Sequence, residues 1–141
     1  MADDFDPAQF LSVTGDAVVA ANARGEIIYW NTAATRIFGF AQEEALGQAL
    51  DLIIPERLRE RHWTGYDQVM KSGETRYGSD VLRVPALHKD GRALSIAFTV
   101  ALMRAPDGSW IIAATIRDET LRWQEERKLK QRVDELETKS P

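Results

Sequence analysis

Few residues in this chain are equipped for chemistry. Of its 141 residues two are histidine and none is cysteine, and 22 acids face 18 bases for a net charge of −4. His62 closes the run Arg59-Glu60-Arg61-His62, and His88 opens His88-Lys89-Asp90-Gly91. A neutral imidazole can relay a proton, ligate a metal, or fill a core. Without cysteine there are no disulfides, thiolate metal sites or thiol nucleophiles. No Ser/His/Asp arrangement, phosphate-cradling glycine loop or metal-spaced ligand cluster accompanies the histidines, so the chain reads as a non-enzyme. Arg61, Arg76, Arg83 and His62 are the groups that could meet a small carboxylate.

His62 must be positioned by the helix expected from Pro55 to Lys71, PERLRERHWTGYDQVMK, which Ser72-Gly73 ends. With each residue turning the helix by about 100°, Leu58, His62, Gly65 and Val69 share a stripe flanked by Tyr66. Arg57, Glu60, Arg61 and Asp67 fall on other faces. His62 is therefore expected to point into the domain, with Gly65 leaving room beside it for something flat or bulky. His88 lies in a turn with the Asp-Gly hairpin signal and is expected in solvent.

The remaining elements frame that helix. Ala17 to Asn22 and Ile27 to Trp30 read as two strands joined by Ala23-Arg24-Gly25-Glu26, where glycine supplies the positive φ of a tight turn. Asn31 can cap the helix that carries Ala33, Ala34, Ile37 and Phe38, and Gly39 ends it. Upstream, Asp6-Pro7 starts a short helix whose Phe10 and Leu11 should pack it on the domain, the helix being either a frayed leader or a dimer contact. Ala41 lacks a capping oxygen, so the turn after it should be loose. Tyr77 to Leu87 is a strand that Pro85 places at an edge or a bulge. Ala93 to Met103 alternates cleanly, with Leu94, Ile96, Phe98, Val100 and Leu102 on the core face. The opposite face is small and suits cover by a helix or a second subunit. Trp110 to Arg117 forms the last strand. From Thr120 to Lys139 a charged helix bears Leu129, Val133 and Leu136 on one seam, expected to pair with a second chain or to lie on the sheet. The charge balance argues against nucleic acid, and the absence of a leader or a long apolar run argues for a cytoplasmic protein without a membrane partner.

Asp16, Ala17, Asn22, Gly25, Ile27, Asn31, Ala33, Ala34, Phe38, Gly39 and Phe40 together resemble the opening of a PAS domain, and the resemblance continues to about Thr120. It implies an α+β fold: a five-stranded antiparallel sheet with short helices on one face, an N-terminal helix and a C-terminal signalling helix. The expected divisions are 1–14, a helical cap; 15–120, the PAS domain; and 121–141, the output helix. Asp118-Glu119-Thr120 resembles the D-x-T signature that joins such a core to its output, which makes Asp118 and Thr120 the implied signal relay. Arg59 to His62 resembles the R-x-R-H of haem-binding, oxygen-sensing PAS domains, implying His62 as axial ligand of haem b. Leu58, Val69, Leu82, Phe98, Val100 and Ile116 would then line the cofactor. That subtype's gating arginine falls here at Leu82; Arg83 is one residue off and on the opposite face unless a bulge intervenes. A cysteinyl-flavin photoreceptor is excluded, since no thiol is present. The family implies a homodimeric sensory module that relays pocket occupancy through its last helix to a protein partner or output domain. The alternatives are a haem-based gas or redox sensor and a ligand-free dimerisation adaptor.

Overall fold

The computed structural model describes residues 4–75 and 79–138. Five strands, β1 (Ala17–Ala21), β2 (Ile27–Trp30), β3 (Leu82–Leu87), β4 (Ala93–Arg104) and β5 (Trp110–Asp118), form one antiparallel sheet in the order β2-β1-β5-β4-β3. Helices α1 (Pro7–Val13), α2 (Thr32–Phe38), α3 (Gln42–Ala45), α4 (Arg59–Ser72) and α5 (Thr120–Thr138) complete the α+β architecture with two 3-10 turns, Leu50–Ile53 and Glu56–Leu58. Tyr77 and Gly78, the expected start of the strand before β4, lie outside the described residues, as does Arg76. Pro85 is accommodated because β3 is an edge strand.

The small residues of β1 let α2 approach the sheet, and the junction is fastened by Asn31. Its side-chain oxygen accepts from the Val18 N–H at 2.9 Å and, as the cap of α2, from the Ala34 N–H at 3.0 Å. Its amide donates to the carbonyls of Leu11 at 2.8 Å and Asp16 at 3.1 Å. Asn31 is only 4% exposed, so these bonds satisfy a polar group that burial would otherwise penalise. Around it Ala17, Val19, Ile27, Trp30, Ala34, Ile37 and Phe38 close the core.

Several expectations are revised here. Phe10 and Leu11 do not dock α1; they are 51% and 37% exposed, and the helix is tied down through the Leu11 carbonyl instead. The turn after Ala41 is ordered into α3 because the Glu44 carboxylate accepts from the Ala41 N–H at 2.9 Å, supplying half of a capping box without the missing hydroxyl. His88 is not in solvent: its side chain is 15% exposed and its ring lies over Gly39, where a Cβ would meet Cε1 at 2.6 Å. That contact follows from the Lys89 N–H donating to the Phe38 carbonyl at 2.9 Å, which pulls the β3–β4 turn onto the end of α2.

Asn31→Ala leaves two buried N–H groups and two carbonyls without their partners. It is expected to destabilise the fold by about 3 kcal/mol or more in a urea titration, well beyond the ~1 kcal/mol of an ordinary lost cap.

Candidate functional site

The inner face of the sheet closes at one end and opens at the other. Leu82, Phe98, Ile116 and Ala17 form one row across β3, β4, β5 and β1, and Val100, Ala114, Val19 and Trp30 form the next that can be traced across β4, β5, β1 and β2. Ala17, Val19, Ile116 and Trp30 are buried, whereas Leu82, Phe98, Val100 and Ala114 are half-buried. Beyond them Leu102 and Ile112 are also half-buried. Apolar cover therefore thins along β4 and β5 toward the hairpin that joins them.

Among the described residues, few side-chain links hold α4, and they run to the β1–β2 turn, the segment before the helix and the start of β5. The Tyr66 hydroxyl donates to the Asn22 carbonyl at 2.5 Å, and the Trp63 indole N–H donates to the Asp51 carboxylate at 2.7 Å. The Trp63 ring sits on Gly25, where a Cβ would meet the ring at 2.1 Å; at φ +80° that turn position excludes a side chain on two grounds. At the other end of α4, Gly73 backs onto the Trp110 ring, which Arg104 covers at 3.8 Å. Arg59 donates to the Ile54 carbonyl at 3.0 Å and anchors the start of the helix.

His62 is brought together with Trp63 and Tyr66, its ring centroid 4.8 and 5.7 Å from theirs. Its Nδ1 is buried without a hydrogen-bond partner among the described residues. Burial pushes the imidazole below its usual value of 6.5, with the Asp51 carboxylate opposing in part. Burial likewise pushes the Tyr66 phenol up to about 12, so it stays a donor. Leu58 and Val69 are half-buried near this helix, and Ile116 belongs to the closed core rather than to the thinly covered part. Gly65 is corrected: it is exposed, and a Cβ there would meet nothing within 4 Å, so it makes no room beside His62. Within α4 the inward stripe is carried by His62, Tyr66 and Val69, with Tyr66 the buried one, and Gly65 falls on its outer edge. β3 pairs with β4 without a bulge from Leu82 to Leu87, so Leu82 faces inward. Arg83 faces outward to Glu119 at 3.5 Å. Arg61 is exposed as well, so neither arginine approaches His62 from within.

The end of β5 is fastened to β4 and to α5 at one point. Asp118 accepts from both the Thr120 N–H at 2.9 Å and the Thr120 hydroxyl at 2.5 Å. The Thr120 hydroxyl accepts from the Ser95 N–H at 3.0 Å, and the Glu119 N–H donates to the Ser95 carbonyl at 2.8 Å. Sequence reasoning does not single out Trp63 or Ser95 as site residues. The positive φ expected at Gly25 marks the turn, but no periodic pattern reveals which ring will rest on it.

The unfolded chain takes up the His62 proton near pH 6.5, before the folded chain does. Stability is therefore lost as pH falls through 6.5 toward the lowered folded value. Urea titrations between pH 7.5 and 5 are expected to show this decline in the natural chain and a shallower one in His62→Phe.

Known proteins resemble this arrangement over most of the chain. The PAS fold family matches residues 6–118. An uncharacterised protein of Azorhizobium caulinodans is 33% identical over 109 residues, covering 77% of this chain and 15% of that protein. Oxygen sensor protein DosP of Escherichia coli is 24% identical over 129 residues, covering 92% of this chain and 16% of that protein. The chain thus spans less than a fifth of either relative. The crystal structure of a PAS domain from Colwellia psychrerythraea superposes with a TM-score of 0.67 at 22% identity, over 80% of this chain and 93% of that one.

Proposed function

The chain belongs to the PAS fold family, and from that premise we propose that it is a homodimeric sensory module relaying the state of its interior to a partner protein or output domain through α5. It acts by binding, without catalysis of its own. Residues 1–14 cap it, 15–120 form the sensing body and 121–141 carry the output. The observation that carries this reading is the Asp118–Thr120–Ser95 junction, which ties the last residue of β5, a β4 backbone amide and the first residue of α5 into one hydrogen-bonded unit. A ligand entering against Leu82, Phe98 and Val100 would press on β3 and β4, and a change in sheet twist would arrive at that junction as a population shift. Among the described residues no helix is long and apolar enough to cross a membrane; a cytoplasmic setting is part of the proposal.

A second reading is favoured by one feature, the Nδ1 of His62, which is buried without a hydrogen-bond partner among the described residues. An imidazole kept neutral by burial suits an axial ligand, and His62 with Leu58, Val69, Leu82, Phe98 and Val100 would hold haem b, whose iron supplies gas or redox sensing. Resemblance to an oxygen sensor supports it, and the outward Arg83 speaks against the gating arrangement expected of that subtype. Protein expressed with haem supply is expected to show a Soret band that His62→Ala abolishes; no band from a folded, reconstituted sample removes haem and leaves the sensory module or a ligand-free adaptor.

Asp118→Ala tests the relay itself. Loss of this cap, worth about 1 kcal/mol, is expected to speed amide exchange over 120–123 while leaving exchange in β1 and β5 unchanged. Unchanged protection over 120–123 would show that the junction does not hold the helix.

A further inference from the structure

Arg83 falls one place off the inward row, and on the outer face of the sheet it meets a partner. It pairs across the sheet with Ala97, and Ala97 with Arg117, so arginines on β3 and β5 flank one alanine on the strand between them. Side chains of such a row stand on one face and reach their neighbours. Both guanidiniums attend the carboxylate of Glu119, the residue between the end of β5 and the start of α5. Arg83 Nε lies 3.5 Å from Glu119 Oε2. Asp16 foremost, and Glu119 in smaller part, hold the Arg117 guanidinium above its usual value. Arg117 Nε donates to Asp16 Oδ1 at 3.1 Å and its Nη2 to Oδ2 at 3.3 Å, and the Asp16 carbonyl accepts from Asn31. Charges of alternating sign therefore run Asp16, Arg117, Glu119, Arg83, from the foot of β1 to the edge strand β3.

The backbone of Glu119 gives this pair its leverage. Its N–H donates to the Ser95 carbonyl at 2.8 Å, and its carbonyl accepts from the Trp123 N–H at 2.9 Å, in the first turn of α5. Its side chain is only 19% exposed, and a carboxylate so far out of water is held in place by cations. At the other end of the pair, Arg83 stands between Leu82 and Val84, whose side chains take the opposite face of β3. We infer that Arg83 and Glu119 form an ionic strap that carries a displacement of β3 directly to the first turn of α5, over the outer face and without passing through β4. This rests on the relay reading of the proposed function and adds a second route to it, separate from the Asp118–Thr120–Ser95 junction. Partly exposed ion pairs add little to stability, so the strap acts through what it connects, and salt weakens it.

Amide exchange of the full chain, read by mass spectrometry, tests the strap. Arg83→Gln is expected to speed exchange over 120–123 about threefold, although the substitution lies on another strand, and to leave β1 unchanged. Glu119→Gln is expected to speed exchange in β3 by a similar factor, because coupling between two sites is reciprocal. With Glu119→Gln already in place, Arg83→Gln should add nothing at 120–123. In about 0.5 M NaCl the natural chain should approach Arg83→Gln, while that variant barely moves. Arg92→Gln removes a cation of the β3–β4 turn that lies 3.8 Å from Asp90, and should leave 120–123 unchanged. Exchange over 120–123 that is the same in Arg83→Gln as in the natural chain overturns the strap; if Asp118→Ala still speeds exchange there, the junction and the relay reading stand without it. Equal acceleration in β1 would assign the effect to global stability and overturns the strap as well. An Arg83→Gln effect that persists in full beside Glu119→Gln overturns the pairing with Glu119.

Discussion

Burial of one amide side chain is the constraint on which the fold turns. β1 is built from alanine and valine and offers little bulk to hold a neighbour, yet it is an inner strand of the sheet. Asn31 compensates: both of its polar atoms are used, each twice, on backbone groups from the end of α1, the residue before β1, β1 itself and the start of α2. A buried amide that satisfies all of these groups admits one arrangement of the four segments, because any slip leaves a polar group without water or partner. The aromatic wall of Trp30, Phe38 and Phe40 can then settle on a fixed frame.

From that frame outward, cohesion falls off. The α2 end of the sheet is closed by aliphatic and aromatic cover, while α4 is held by two side-chain hydrogen bonds, an arginine at its start and ring-on-glycine contacts. Each such hydrogen bond contributes only about 1 kcal/mol net. Among the described residues the helix carrying His62 thus has few cross-links to resist local opening, and α5 is tied to β4 at its base.

How far these features could be read in advance depends on whether a local pattern or a long-range contact decides them. The alternation of Leu94, Ile96 and Phe98 is a property of consecutive residues, and β4 follows it. Asn31 as a cap, Asp6 as a cap and Pro85 at an edge rest on chemistry within a few residues of each position. In α4 the step of about 100° per residue puts both Gly65 and Tyr66 beside the stripe of His62 and Val69, and only the packing of the ring decides that Tyr66 turns in and Gly65 out. His88 and Trp63 escape for another reason: each rests on a glycine about forty or fifty residues away in sequence, and no spacing rule connects such pairs. Phe10 and Leu11 show the converse, apolar residues that local pattern sends inward and the fold leaves out.

β5 has a place no other strand shares. Its first residue, Trp110, is the surface on which the end of α4 bears, and its last, Asp118, is the root of α5. They are the two ends of nine residues of extended chain, paired with β4 along its whole length and with β1 from Ile112 to Ile116. In the proposed relay, a tilt of the histidine-bearing helix would be delivered to one end of a stiff spar with the long helix mounted on the other.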